Sequence, residues 1–368
     1  MKNTIKIVSA ISAVVASSAA FGVAGLDRLV FSPSFLFEEG KYVELTYANA
    51  NPYVTTADKP LANIADKVDT LKLSYKHQFN DKFGLGMMIN TQPIGVDVNY
   101  QSYSTNTLRG SISAKSYIAL GHYKANERVS VFGGLNHQKQ SGNANLQASG
   151  LPGDILFAQD SDTGYILGAA YSIPKIALRA SLTYESDLAF SHETTIADPA
   201  GSLVYNLPLG AGDVGLGGGN TTSATPEAFT LELQSGVAKN TLLFGSIRKS
   251  KWSEAQVSLA GVNELSDFVD TTVYKLGVGR KFTDSISGSI TFNYEESNGK
   301  LSSPFSPQDG EKGIALGAKY TAKNGIATSL GVQYRKLGDT VIKPGAFGGT
   351  VFNDNDVLTI GLKLSKSF

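Results

Sequence analysis

Side chains able to do chemistry are few and dispersed. There is no cysteine, which excludes thiol catalysis, cysteine metal sites and a disulfide framework. The histidines, His77, His122, His137 and His192, show no metal-ligand spacing, so neither a metal nor any other cofactor is expected. An outer-membrane lipase would need a serine, a histidine and an acidic or amide partner within hydrogen-bond reach, and no motif announces one. What remains is charge that could hold a carboxylate. Arg179 and Lys275 are the candidates, because a guanidinium binds a carboxylate through two parallel hydrogen bonds and an ammonium through one. The plainer alternative is a wet interior in which Arg179 pairs with Glu185.

The elements that would position such groups follow from period and punctuation. Successive side chains of a strand point to opposite faces, and Ser285–Tyr294 alternates without a break. Ile286, Gly288, Ile290, Phe292 and Tyr294 share one face, and Ser285, Ser287, Ser289, Thr291 and Asn293 the other. Such runs, separated by turn signals, predict about 14 strands. They begin at Lys41–Pro52, Val68–Phe79, Phe83–Tyr103, Gly110–Lys124, Glu127–Gln140, Ser161–Ile173 and Lys175–Glu193. They continue at Thr225–Ser235, Asn240–Trp252, Asp267–Phe282, Asp284–Glu295, Gly310–Thr321, Gly325–Leu337 and Asn353–Phe368. On these strands Lys72, Ser74, Lys76 and Gln78 face inward with Arg179, Glu185 and Lys275, whereas His77 and His122 fall on faces assigned to lipid. Trp252, Tyr42, Tyr47, Tyr75, Tyr184, Phe292 and Tyr294 are expected in interfacial aromatic girdles.

The fold class expected is therefore all-β, a transmembrane antiparallel barrel. Composition agrees: 39 glycines, 16 tyrosines and 18 phenylalanines accompany a mean hydropathy of −0.07, as when half of each strand faces lipid and half faces water. Residues 1–24 read as a secretory signal, with Lys2 and Lys6 before an apolar stretch and small residues at two possible cleavage points, after Ala20 or Ala24. Beyond it no run of about 18 apolar residues exists, so helical spans are excluded. Residues 25–40 would precede the barrel, which takes 41–368. Lys plus Arg equals Asp plus Glu, 32 each, giving no basic surface for nucleic acid. Tight turns such as Asn80-Asp81-Lys82 and Lys323-Asn324-Gly325 alternate with long loops, the asymmetry of outer-membrane barrels, and the last strand ends on aromatic Phe368.

The two longest loops, Ser141–Asp160 and Thr194–Ala224, carry apolar residues that solvated loops lack: Leu151, Ile155, Leu156 and Phe157 in the first, Leu203, Leu207 and Leu209 in the second. These form either a self-packed lid or a hydrophobic capture site. In the third strand, Gln92-Pro93-Ile94-Gly95 combines a proline that cannot donate to the ladder with a glycine that favours a bulge. It marks a wall defect, or alternatively a strand end near a loop.

Several motifs, in order, resemble the FadL family, which includes channels for long-chain fatty acids and for monoaromatic hydrocarbons. Thr225-Pro226-Glu227 opens a strand, and Leu242–Ser253 ends in a Trp-Ser pair. Asp267-Phe268 then precedes the glycine-containing strand and tight turn Tyr274–Asp284. Tyr294-Glu295-Glu296-Ser297-Asn298 and Ser303-Pro304-Phe305-Ser306-Pro307-Gln308-Asp309 follow. The resemblance implies a monomeric 14-stranded barrel in the bacterial outer membrane, in contact with its lipid. It also implies a short N-terminal hatch, here residues 25–40, whose Asn-Pro-Ala motif corresponds to Ser32-Pro33-Ser34 in a segment shorter than the family's. A hydrophobic small molecule would be captured at the third and fourth outer loops and released laterally through a kinked third strand, here at Pro93 and Gly95. Enzymatic activity is not expected. A general porin for polar solutes, which should carry a charged constriction loop, and a non-transport barrel serving as adhesin or enzyme are the competing readings.

Overall fold

The computed structural model describes residues 26–56, 63–100, 108–145, 154–197, 220–259, 266–299, 301–343 and 349–368. The expected signal, Leu151, Leu203, Leu207 and Leu209 lie outside them. Fourteen strands form the wall: β1 (Tyr42–Tyr53), β2 (Val68–Gln78), β3 (Phe83–Asn99), β4 (Arg109–Lys124), β5 (Val129–Asn145), β6 (Asp154–Ile173), β7 (Leu178–Glu185), β10 (Ala228–Ala238), β11 (Thr241–Ser250), β12 (Thr271–Lys281), β13 (Ile286–Glu295), β14 (Glu311–Thr321), β15 (Ile326–Leu337) and β18 (Asp356–Ser367). Each pairs antiparallel with the next in this order, and β1 pairs with β18 from Tyr42↔Ser367 to Tyr53↔Asp356. Closure leaves no open edge in the wall, the condition for a sheet to sit in hydrocarbon. Two further strands, β8 (Leu188–Ala197) and β9 (Asn220–Thr225), stand beyond β7 and β10, and a two-residue pair, β16 (Thr340–Val341) and β17 (Val351–Phe352), lies in the last outer loop.

Alternation sorts the side chains as expected. Leu276, Phe292, Leu316, Leu330 and Ile360 are exposed on the outside, while Thr291, Asn293, Ser329, Gln333 and Thr359 are buried inside. Such a wall presents apolar surface to lipid and polar groups to the lumen.

Four expectations need correction. The expected strand 175–193 is two strands: the chain leaves the ladder at Ser186-Asp187, and there the carboxylates of Asp162 and Asp160 accept from the amides of Ala189 (2.8 Å) and Ser191 (2.7 Å). The expected loop 141–160 is mostly strand, since β5 runs to Asn145 and β6 starts at Asp154. His122 is buried in the lumen and not on the lipid face. Trp252 and Tyr42 are not girdle residues. Trp252 lies fully buried against Phe268 under the outer loops, and Tyr42 points inward and donates to Glu44. Tyr47, Phe292 and Tyr294 are exposed on the outer wall as expected.

Candidate functional site

The ladder fails at one place in the third strand. Pairing of β2 with β3 runs from Gln78↔Gly84 to Lys72↔Asn90 and stops. On its other side β3 pairs with β4 at Thr91↔Lys115 and next at Gly95↔Ser113, so residues 92–94 face the single residue Ala114. Gln92 adopts φ 54°, a left-handed conformation uncommon outside glycine, and Pro93 has no N–H to give. Side chains replace the missing ladder bonds. Gln92 donates to Ser113 Oγ (3.1 Å) and accepts from the Ala114 amide (3.4 Å), and Thr91 Oγ1 accepts from the Leu71 amide (2.8 Å).

The edge that β2 abandons is taken by the N-terminal segment. Pro93 O accepts from the amides of Arg28 (2.8 Å) and Leu29 (2.9 Å), and Gly95 N donates to Leu26 O (3.1 Å). Asp27 and Ile94 thereby form an antiparallel bridge. Further out the first outer loop continues the replacement, with Asn99 N donating to Ile64 O (2.7 Å).

Adjacent charges fasten this segment to opposite parts of the wall. Arg28 is fully buried and its guanidinium lies 2.7 Å from Asp97, which also accepts from Ser111 Oγ (2.8 Å). A Cβ at position 95 would fall 2.4 Å from Arg28 Nη1, so Gly95 is what gives the guanidinium room. Asp27 accepts from Arg248 Nε (3.3 Å) on β11, and Arg248 also binds Glu185 and Thr230. Buried charges of this kind persist only when paired and hydrogen-bonded.

Ser32, Pro33 and Ser34 fall at a one-turn 3-10 helix, Pro33–Phe37. Ser32 Oγ caps it by accepting from Ser34 N (3.3 Å) and donates to Glu232 (2.8 Å), and Pro33 takes the first helical position, where no N–H is needed. Phe35 and Leu36 pack into the space left by Gly86. Phe37 lies between Arg179, 4.4 Å from its ring centroid, and His122, whose ring meets it edge-on at 5.5 Å. Lys76 Nζ donates to Glu38 O. The segment therefore touches β2, β3, β4, β7, β10 and β11, crossing the lumen despite its short length.

Immediately beyond the kink an apolar cleft is lined by Val96, Ile112, Phe157, Val257, Phe268 and Phe305, with Ser111, Asn143 and Ser266 its polar members and no charged side chain. Ile155 and Phe157 point inward into the surrounding apolar cluster, whereas Leu156 points outward, 58% exposed. Arg179 and Lys275 both face the lumen, as expected, but β10 and β11 stand between their strands, placing the two backbones about 14 Å apart. Arg179 is engaged by Gln234 (3.0 Å) and Phe37 and not by Glu185, which binds Arg248. Lys275 forms no ion pair among the described residues. Sequence reasoning missed Asp27, Arg28, Asp97 and Arg248, and the cleft residues Val96, Phe268 and Phe305. The signal for the last two was an aromatic residue set in an otherwise polar loop.

No protein-family model matches the chain, and no curated protein sequence does. Solved structures share its fold. A Pseudomonas aeruginosa FadL homologue superposes with a TM-score of 0.71 at 14% identity, over 96% of this chain and 98% of that one. The Pseudomonas putida toluene transporter TodX and the Ralstonia pickettii toluene transporter TbuX each superpose with a TM-score of 0.63 at 12% identity, over 96% of this chain and 98% of theirs. At such identities the likeness is one of fold: this chain forms a FadL-type barrel.

Proposed function

We propose that the protein is a passive channel of the bacterial outer membrane, acting as a single chain, that takes up hydrophobic small molecules and releases them sideways through the wall at Gln92–Gly95. The observation that carries this reading is the juxtaposition at β3. An uncharged cleft ends against Val96, one residue from a break in the ladder, and the break is covered from inside by a separate segment of chain rather than by a wall strand. A general porin needs no such break and would present charge at its constriction.

Transport needs no energy source. Burial of alkyl or aryl surface contributes about 0.8 kcal/mol per methylene, and a lateral exit delivers the molecule to lipid without exposing it to water. Outer loops three and four, with Leu151, Leu156, Leu203, Leu207 and Leu209, would capture it. Ile155 and Phe157 would guide it to the cleft, and release would follow once residues 26–29 leave the β3 edge. Long-chain fatty acids are the first reading of the substrate, with Arg179 or Lys275 meeting the carboxylate. The uncharged, phenylalanine-walled cleft favours a second, a monoaromatic hydrocarbon. The fold neighbours that transport toluene support the same class of channel.

The test is uptake of labelled oleate, toluene and glucose into lipid vesicles holding the purified protein, against a variant lacking Gln92 and Pro93. That deletion sets Ile94 opposite Ala114 and straightens the strand. Uptake of oleate or toluene that the deletion abolishes supports a lateral channel and identifies its substrate. Glucose permeation indifferent to the deletion would replace it with a general porin.

A further inference from the structure

The outer face of the wall is not evenly covered by side chains. Outward positions of β10 to β13 are apolar, and Leu233, Leu243, Leu276 and Phe292 are all exposed there. At their centre is Gly245, directly opposite Leu233 on one side and Leu276 on the other. With no side chain at that point, its neighbours border an apolar trough that runs on to Ile247, Tyr274 and Tyr294. The position is fixed as glycine by the ladder itself, since a Cβ there would fall 2.6 Å from the Lys275 carbonyl oxygen.

The outer end of this trough meets two aromatic rings flanked by charge. Tyr274 and Tyr294 are directly opposite each other, and their rings stack at 6.4 Å and 28°. Lys312 is opposite Tyr294 on β14, and Lys249 lies one outward-facing step beyond Ile247 on β11. Both lysines are exposed, and neither forms an ion pair among the described residues. Lys312 also stands opposite Lys336, a like-charge pairing that sheets tolerate poorly. Lys336 is engaged by Asp354 (2.8 Å) and faces Asp356, so the surplus charge is that of Lys312 and Lys249. Their strands are three intervals apart, about 14 Å, and their flexible stems can close part of that gap. Both residues sit at strand ends that lead to outer loops, β11 ending at Ser250 and β14 beginning at Glu311. They are therefore level with the headgroups of the outer leaflet. Exposed tyrosines there are ordinary girdle residues, but a girdle needs neither the unpaired lysines nor the trough.

We propose that Lys249, Lys312 and the Tyr274–Tyr294 pair form a docking site on the outer wall for a glycolipid of the outer leaflet whose sugars carry a phosphate at each end. Charge complementarity names the occupant: two separated cations fit two separated phosphates, and a lipid with one phosphate would engage only one of them. The sugars would lie across the tyrosine rings, and one acyl chain would fill the trough over Gly245. The site uses outward-facing residues alone, so it is independent of what passes through the lumen.

The measurement is native mass spectrometry of the full chain released from non-ionic detergent, with diphosphoryl lipid A, phosphatidylglycerol or inorganic pyrophosphate added. Lipid A should be retained at one copy per chain. Retention should fall at least fivefold in the double variant Lys249→Gln, Lys312→Gln, and not in the double variant Lys175→Gln, Lys239→Gln, which loses the same charge at exposed turns of the opposite end. Ala180→Trp, which sets a bulky ring into the edge of the trough, should lower retention at least threefold. Unchanged retention in the Lys249, Lys312 variant, or an equal loss in the control, would overturn the site. Phosphatidylglycerol held as well as lipid A would replace it with general attraction of anionic lipid. Pyrophosphate held without lipid would make it a site for free phosphate, and full retention in Ala180→Trp would remove the acyl chain from the trough. A dimer seen without added lipid and lost in Ala180→Trp would give this face to a second copy of the chain.

Discussion

Asp27 of the N-terminal segment and Ile94 of the kinked strand face each other as an antiparallel bridge, so a piece of chain outside the wall completes the sheet where β2 withdraws. Bridged partners in antiparallel sheets have Cα atoms about 4.5–5.5 Å apart, inside the range a disulfide spans. The chain contains no cysteine of its own. The double variant Asp27→Cys, Ile94→Cys should therefore cross-link cleanly. Oxidised, it should lose most uptake of the hydrophobic substrate, and reduction should restore the level of the reduced variant. Equal uptake in both states would show that the segment need not leave the β3 edge.

Arg248 stands between a buried carboxylate, Asp27, and a half-buried one, Glu185. Replacing it by methionine keeps the volume and removes the only cation among the described residues that binds both. Breaking a buried pair from one side costs about 3–5 kcal/mol, much of it the stranded charge. Unfolding of Arg248→Met in urea should show a loss of that order, and adding Glu185→Gln should recover part of it. A loss below about 1 kcal/mol would mean that water already solvates these groups.

The lipid-facing assignment can be tested by charge. Leu330 projects from the outer face of β15 and is 58% exposed. An arginine near the middle of the bilayer on such a face costs about 2–4 kcal/mol, so Leu330→Arg should lower the stability of the vesicle-folded protein by that amount relative to Leu330→Ala. No difference between the two would place this face in water.

Much of the wall was legible because its two faces differ in chemistry. On Ser285–Tyr294 the parity of the hydroxyls alone distinguishes lumen from lipid. Parity failed at β4, where Ile118 and Leu120 point inward with His122. The lumen face is apolar there because Phe35, Leu36 and Phe37 fill the lumen opposite it, and one strand cannot announce that a distant segment will cover it. The break at Ser186-Asp187 was hidden for a related reason: β8 keeps the alternation of β7, and the aspartates of β6 bind its amides where the β6 ladder is interrupted, before β8 rejoins β6 at Thr194. The kink was readable from Pro93 and Gly95. Its cover was not, since the pairing of Arg28 with Asp97 spans 69 positions and has no local pattern.

The cleft gives the last prediction. Phe305 forms one of its walls, and a Cβ at position 110 would fall 2.6 Å from the Phe305 ring. The glycine thus sets how far the ring can retreat, and Gly110→Ala should drive it into the cleft. Removing the ring instead leaves a void, and large-to-small changes at buried aromatics cost about 3–5 kcal/mol when the site cannot collapse. A cleft already open on one side should lose less, of order 1–1.5 kcal/mol of ligand affinity, which is about tenfold. Toluene or oleate binding, measured by calorimetry in detergent, should therefore weaken about tenfold in Phe305→Ala and at least as much in Gly110→Ala. The two variants act on the same cavity from opposite directions. If filling it and emptying it both leave affinity unchanged, the ligand does not pass through the cleft.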